Sequence, residues 1–513
     1  MVKSMRRGRR TRQENPQKAS AIGPGMPGGR YRPLTRSDEK QIHQTILDVL
    51  ENIGMGDPIP IVKEHALERG CFINDHGRLC FPRAFIEDAI SSAPKNARLF
   101  GRDPKHDIDV GDNHVHNYGG GEAVNMLDVG ASRYRPSTLD DLYDTARLVD
   151  RMDNIHALAR LVVPTEIQDQ LSCDINSAYV SAAGTLKHTQ LTFADASHVQ
   201  PTLEMLYMIA GGKEKFHERP FCNGGGCPVI SPLRYGKDNS EVCVESIKFG
   251  APIWVTVAPQ AGATAPAALA GAVVQSVAEA LAGMLMVHVV DPRTPVVLGP
   301  WPFVSDLRTG SFTGGSGEEA VVSAAAVQMI NFYGLPSSVG AGMTDSKLPD
   351  YQAGYEKALA IALAAQAGCN DVSECSGMLG SLMALSLESM VIDNDLLGAV
   401  LRTVRGIEVN EETLSYDVIE QVVHGEGHYL RAQQTLDLMR TEYEYPAIAD
   451  RMTPGEFEAA GSPDIRQQAG ERVKSILSSH YPEYIEPAID AKIRERFPIL
   501  LKPENMRSGN SRW

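Results

Sequence analysis

The side chains with the types and spacing to do chemistry are two histidine–carboxylate groupings and a set of aromatics at loop positions. His114 and His116 stand two apart in a run with strand character, so they share a face, and Glu122 follows them. His424 and His428 flank Glu426 at a spacing of four. Neither grouping is an HExxH pattern and no Cys/His set has structural-zinc spacing, so no metal site is assigned. Cys222 and Cys227 bracket a glycine-rich run that would suit a soft metal, but two buried thiols explain the pair as well. Nucleophilic catalysis finds neither a GxSxG elbow nor a Cys/His family signature. Glu122, Glu166, Asp195, Asp345 and Glu374 are placed to bring negative charge to a cavity. Helix capping competes with that role, most strongly for Asp345, which precedes a helical stretch. Aromatic residues make up only 6% of the chain, so Tyr118, Phe193, Trp301, Phe303, Phe312 and Tyr429 stand out at loop positions. Aromatic faces beside a carboxylate suit a quaternary ammonium group, which offers no hydrogen-bond donor and is held by cation–π contact. Core packing is the competing explanation for each ring taken singly.

These residues fall at the ends of short apolar runs in a strand-then-helix alternation that begins near residue 155. The pattern predicts strands at Ala157–Val163, Thr185–Phe193, Pro220–Asn223, Pro252–Val257, Pro295–Leu298, Ser337–Gly340 and Gly368–Ser373. Helical stretches separate or follow them near 174–183, 200–210, 239–249, 265–289, 318–332, 351–367 and 377–390. With one more strand at His114–Tyr118 or Gly406–Val409, the count reaches the eight of a (β/α)8 TIM-type barrel. A doubly wound open sheet ranks lower, because no glycine fingerprint follows a first strand with an acid ~20 residues on. In a barrel, catalytic groups sit at the C-terminal strand ends. That points to Val163–Glu166, Thr192–Asp195, Asn223–Gly226, Pro259–Gly262, Gly299–Phe303, Gly342–Asp345 and Ser373–Gly377, several of them glycine-rich, as a large open cavity requires.

The expected organisation is a basic, Gly/Pro-rich arm over 1–36, a small helical accessory region over 37–110, the barrel over 111–410 and a helical C-terminal extension over 411–513. The first helix is expected to start at Ser37 as N-cap, with Lys40 where an acid is usual, and to end at Gly54. Segment 60–96 reads as short helices around the turn Asn74–Gly77, which is flanked by strand-like runs.

Charge is unevenly spread. The 513 residues carry a formal −15, yet residues 1–36 hold ten Lys/Arg against Glu14, leaving −24 on the rest. An acidic body argues against nucleic acid as the main partner. The arm lacks the apolar run of a secretory signal and reads as a tail or as a strap on an acidic surface. Eight scattered cysteines without a CxxC pair fit reduced thiols in a cytoplasmic protein. The longest apolar stretch, Ala265–Val290, contains Gln275, Glu279 and His288, which favours a buried helix over a membrane span.

Several segments together resemble the trimethylamine methyltransferase superfamily: the Arg-rich start, Gly28-Gly-Arg-Tyr-Arg-Pro-Leu34, Phe100-Gly-Arg-Asp-Pro104, the run Gly262–Gly271 and above all Thr344-Asp-Ser-Lys-Leu-Pro-Asp-Tyr-Gln-Ala-Gly354. The resemblance implies a (β/α)8 barrel that moves a methyl group from an amine to the cobalt of cobalamin (a corrinoid) presented by a partner protein. No cofactor is then held tightly by the chain itself. Founding members of that family use pyrrolysine. Only standard residues occur here, with small residues and Met343 in the region Ser337–Thr344, so the chain is similar to the non-pyrrolysine branch that demethylates glycine betaine. A quaternary nitrogen departs as a neutral tertiary amine without a general acid, so the protein's contribution is orientation and electrostatics. Read this way, Tyr118, Trp301, Phe303 and Phe312 are candidates for the ammonium cage and Glu122 or Asp345 for the nearby charge. His188 and Lys347 are candidates for a substrate carboxylate. The partners implied are a methylated amine, a corrinoid protein and further copies of the chain, with no nucleic acid and no membrane. Alternatives are a methyltransferase for proline betaine, carnitine, choline, dimethylglycine or trimethylamine, a barrel that binds such amines or the corrinoid protein without turnover, and a zinc-dependent methyltransferase.

Overall fold

In the computed structural model, which describes residues 25–510 and 512–513, eight short strands run parallel around a barrel. In chain order they are β1 (His114–Gly119), β2 (Ala157–Ala159), β3 (Thr189–Leu191), β4 (Cys222–Gly226), β5 (Ile253–Val257), β6 (Val296–Pro300), β7 (Ser338–Gly340) and β8 (Asp371–Ser373). Each pairs in parallel with its chain neighbour, β8 pairs with β1, and a parallel bridge from Leu298 to Ser337 joins β6 to β7. Parallel neighbours need a crossover, and each strand is followed by a helix that supplies it. These helices are α1 (Leu139–Asp150), α2 (Gln170–Gly184), α3 (Val199–Ala210), α4 (Lys237–Glu245), α5 (Leu269–Val290), α6 (Gly317–Phe332), α7 (Tyr351–Ala367) and α8 (Leu387–Arg405).

Five of the eight returning helices begin at a side-chain cap. Thr138, Asp169, Ser316, Asp350 and Ser386 each accept a backbone N–H with the side chain. Asp350, not Asp345, caps α7. α5 is apolar around most of its circumference and long enough to cross a membrane. Here it is mostly buried, with Val277, Leu281 and Leu285 in a core shared with Ile46, Leu47 and Leu50 from the N-terminal region.

Several boundaries differ from the sequence expectation. The first helix spans Arg36–Asp48 and is capped by Thr35, whose hydroxyl accepts from Asp38 N while the Asp38 carboxylate accepts from Thr35 N. The acid missing at Lys40 under a Ser37 cap is thus present as Asp38. Gly54 ends the helical stretch as expected. The hairpin around Asn74–Gly77 forms, with strands Phe72–Ile73 and Leu79–Cys80 between helices Pro60–Glu68 and Arg83–Ser92. His114–Gly119 is the eighth strand, and Gly406–Val409 is not a strand. Most of the expected helix at 377–390 is instead a hairpin, Met378–Leu379 with Ala384–Ser386, and α8 starts only at Leu387. Helix α1 was not anticipated.

Of the basic arm, residues 1–24 lie outside the described residues. Met26 and Pro27 pair antiparallel with Val115 and His114 at the start of β1, and Arg30 N donates to Gln366 O at the end of α7. Ile407–Tyr445 form a compact unit of their own. From Pro446 onward, helices Ile465–Ser479 and Pro487–Arg496 pack against α1, α8 and α3.

Candidate functional site

A cavity of about 820 Å³ opens at the C-terminal ends of the barrel strands. The first residue after six of the strands lines it: Arg160 after β2, Thr192 after β3, Cys227 after β4, Ala258 after β5, Trp301 after β6 and Glu374 after β8. Glu122, from the loop after β1, completes the ring. Phe303 and Phe193 add apolar faces, and Gln168, Gln170 and Asn239 add exposed amides.

Three carboxyls line the cavity, Glu122, Asp174 and Glu374. Asp174 accepts from Ala194 N and from His198 and lies 3.7 Å from Arg160, whereas Glu122 and Glu374 are in opposite states. Burial pushes the Glu122 carboxyl up, but Arg160, 3.1 Å away, and the Thr192 hydroxyl outweigh it and hold the group below its ordinary value. Glu122 is therefore an anion already paired with a guanidinium. Glu374 is 5% exposed and its Oε2 has no hydrogen-bond partner. Burial, with the charges of Glu122 and Asp371, pushes it up to about 8, so it is protonated at neutral pH. Cys222 is buried, but Cys227 is exposed at the mouth and so is not the second buried thiol expected. Desolvation by the surrounding walls and the charges of Glu122 and Glu374 still push its thiol up to about 12, which leaves it a poor nucleophile.

Trp301 is the aromatic wall, and the barrel interior holds it. Its Nε1 donates to Ser338 Oγ (3.3 Å), and that hydroxyl donates to Asp371 Oδ2 (2.7 Å). Trp254, reaching over from β5, donates to the same carboxylate oxygen at 2.7 Å. The ring lies in a slot made by glycines: a Cβ on Gly340 would come within 2.9 Å of it, and one on Gly299 within 3.0 Å of Nε1. Phe303 packs 6.2 Å from Trp301 between ring centres, and Phe312 packs 4.8 Å from Phe303.

The eight candidate residues thus divide. Glu122, Trp301 and Phe303 share the cavity, with Phe312 behind Phe303. Tyr118 points into the barrel below it, fully buried against Trp254 with its hydroxyl unpartnered. His188 precedes β3 at the opposite end, and its ring nitrogens meet Phe100 O and Asn223 Oδ1. Asp345 accepts from Gly314 N and the Ser381 hydroxyl, tying two loops together, and Lys347 is exposed with its ammonium on Asp345 O. His188 and Lys347 are therefore not brought to the cavity, and Asp345 lines a separate surface depression.

Among the other acids, Glu166 accepts from Leu139 N at the start of α1, across from the loop after β2, and Asp195 accepts from Ser197 N as a local cap. Cys222 and Cys227 sit at opposite ends of β4. Among the described residues, no group of three or more His, Cys, Asp or Glu is placed to hold a metal ion. The expected strand Ala157–Val163 runs past the end of β2 at Ala159 and hides Arg160, whereas Thr192 falls in the expected strand-end run Thr192–Asp195, in which Phe193 and Asp195 are the candidates.

The arrangement suits a small cation. Three aromatic rings, Trp301, Phe303 and Phe193, and the carboxyls of Glu122, Asp174 and Glu374 line the space, and desolvation holds up the thiols of its two cysteines, Cys173 and Cys227.

The family model described as "Trimethylamine methyltransferase (MTTB)" matches residues 3–498. Trimethylamine methyltransferase MttB of Desulfitobacterium hafniense (strain DSM 10664 / DCB-2) is 32% identical over 467 residues, 89% of this chain and 92% of the relative. Glycine betaine methyltransferase of D. hafniense (strain Y51) is 29% identical, covering 91% and 96%. Trimethylamine methyltransferase MttB of Methanosarcina thermophila is 30% identical, covering 89% and 95%.

Proposed function

From the premise that the chain belongs to the trimethylamine methyltransferase family, we propose that it takes a methyl group from a small quaternary amine, glycine betaine first, and passes it to a corrinoid carried by a second protein. The observation that carries this reading is the convergence of Trp301, Phe303, Glu122 and Glu374 on one open cavity. A trimethylammonium head presents only C–H groups around a delocalised positive charge. Aromatic faces and carboxyls bind it, whereas a neutral amine would call for hydrogen-bond partners.

Breaking the methyl–nitrogen bond of such a head releases a neutral tertiary amine. No proton has to reach the leaving nitrogen, which agrees with a cavity whose thiol is held protonated and whose ionised carboxylate is paired with Arg160. What this chain does is bind the head against Trp301, strip water from it and present one methyl toward the open side.

The residues present fit a corrinoid brought from outside. The cavity is large for a small amine within the range of about 300–1,000 Å³ typical of small-molecule sites. That leaves room for a second reactant. The exposed amides of Gln168, Gln170 and Asn239 match the carboxamide fringe of a corrin ring. When bound, the corrinoid supplies the nucleophilic methyl acceptor.

The proposal includes a cytoplasmic location, supported by eight free cysteines. It also includes self-association, supported by the exposed stripe Tyr351, Tyr355 and Leu359 along α7. The direct test mixes the purified chain with reduced free cobalamin and a panel of betaines and follows the visible spectrum. Methylcobalamin should accumulate with at least one of them, and its absence with every betaine would overturn the reading.

A further inference from the structure

The cavity holds one carboxyl oxygen that nothing satisfies. Glu374 Oε2 is buried and unpartnered, and the chain makes room for it. A Cβ on Gly121 would lie 2.5 Å from this oxygen, and one on Gly120 would lie 3.4 Å from Oε1. Glu374 and Glu122 both adopt left-handed backbone, with φ of +62° and +49°. Such conformations cost of order 1–3 kcal/mol each and persist where a site requires them.

The titratable groups around Glu374 offer it no counter-charge. Glu122 from the β1 loop is an acid whose charge is taken up by Arg160 and Thr192. Asp371 on the same strand is another acid, already accepting from Ser338 and Trp254. Cys227 from the end of β4 and the neighbouring Cys375 are both held as thiols. A buried carboxyl in this setting keeps its proton until a cation arrives.

Resting on the reading of this cavity as a quaternary-ammonium site, we propose that Glu374 determines specificity for the cationic head, and that the bound cation takes the place of its proton. The carboxyl O–H bond breaks, the proton passes to solvent, and the carboxylate faces the ammonium. Glu122 is already satisfied, so Glu374 alone gains charge when the ligand binds. A neutral isostere displaces no proton and gains nothing from this group.

The proposal predicts proton release that calorimetry detects as a dependence of binding heat on the buffer. With glycine betaine and tetramethylammonium as probes, wild type should release close to one proton per ligand near pH 7 and almost none at pH 9. For a free carboxyl near pH 8, apparent affinity should rise about 50-fold between pH 6 and pH 8. E374Q should bind with no proton release and with affinity independent of pH, and 3,3-dimethylbutanol should release none from wild type. Buffer-independent heat for cations that do bind wild type would overturn the role of Glu374 and leave the cavity reading standing. Failure of wild type to bind either cation at any pH, together with no methyl transfer, would remove the cavity reading and this inference with it. If E374Q does not fold, the wild-type proton count decides.

Discussion

Under the proposed reading, Trp301 is the single side chain expected to contribute most to recognition of the cation. A cation over a desolvated indole gains about 2 kcal/mol, on the order of 30-fold in affinity. W301A should therefore lose roughly that factor in betaine affinity by calorimetry, and W301F should keep most of it. An unchanged W301A would place the cation elsewhere. Cys227 makes the opposite prediction. Its thiol is pushed up to about 12, so C227S should retain methyl transfer, and Cys227 should resist alkylation by iodoacetamide at pH 7 in a mass-spectrometric time course. Trp301 and Glu122 were recognisable in the sequence as an aromatic and an acid in glycine-rich loops. Glu374 stood among the candidate acids, but its distinction from Glu166 and Asp195 was not readable there. That distinction is the absence of a backbone N–H within reach, and local sequence does not encode it.

The elements behind the cavity set its precision. Gly340 on β7 leaves the slot that seats the Trp301 ring, with 2.9 Å to a hypothetical Cβ. G340A should therefore displace the indole and weaken betaine binding much as W301A does. Overpacking should cost about 1–3 kcal/mol of stability as well, and urea unfolding separates the two effects. Lys187, fully buried between β2 and β3, donates to the carbonyls of Val149, Met152 and Ile155 at 2.5–2.6 Å. It thereby closes the C-terminal end of α1 and the turn after it. K187M leaves those carbonyls unpaired and should destabilise the protein by about 1–3 kcal/mol in urea unfolding, with little effect on the betaine affinity of the folded fraction. Seven barrel strands are legible, and the eighth as one of two alternatives, because buried parallel strands read as short apolar runs between turn residues. The C-terminal ends of β5, β7 and β8 fall where expected, at Val257, Gly340 and Ser373, whereas β2 and β3 end earlier than expected, because the residue that follows each faces a cavity the sequence does not display.

For the molecule as a whole, burying acids without counter-charges has a consequence for pH. Glu374 moves from an ordinary 4.5 up to about 8, and Asp371 from 3.8 to about 7. Between those values these two groups bind more protons in the folded state than in the unfolded state, so their contribution to stability falls as pH rises from about 4 to about 8. His106 and His116, held neutral by burial at about 4, contribute in the opposite direction up to their ordinary 6.5. E374Q and D371N remove their shares of that slope. Each should gain on wild type in melting temperature as pH rises across this interval, with the gap smallest near pH 4. A constant gap would mean that these groups ionise normally in the fold. Asp150 opposes the trend only in strong acid. Burial raises it, but bonds from His480, Tyr484, Leu186 and Thr185 hold it at about 2, so its stabilisation is lost as pH falls below the ordinary 3.8. The C-terminal residues are tied to the barrel by charge as well: Arg512 donates to Asp141 and Asp144, and Trp513 Nε1 donates to Asp144.

Periodicity and the order of apolar runs were enough to specify the barrel, because burial on both faces of a parallel strand and on one stripe of each crossover helix are local demands on residue type. Family motifs along the chain were enough for the reaction class. Which candidates meet was decided by closure of the barrel. It brings residues as far apart in sequence as Glu122 and Glu374 to one rim, while His188 and Lys347 end up away from it. The same closure leaves one glutamate neutralised by Arg160 and the other unpaired, because ionisation depends on partners and desolvation assembled from different strands. Residue types and the apolar runs of the strands are written along the chain, whereas the charge state of a carboxyl at the mouth belongs to the space those strands enclose.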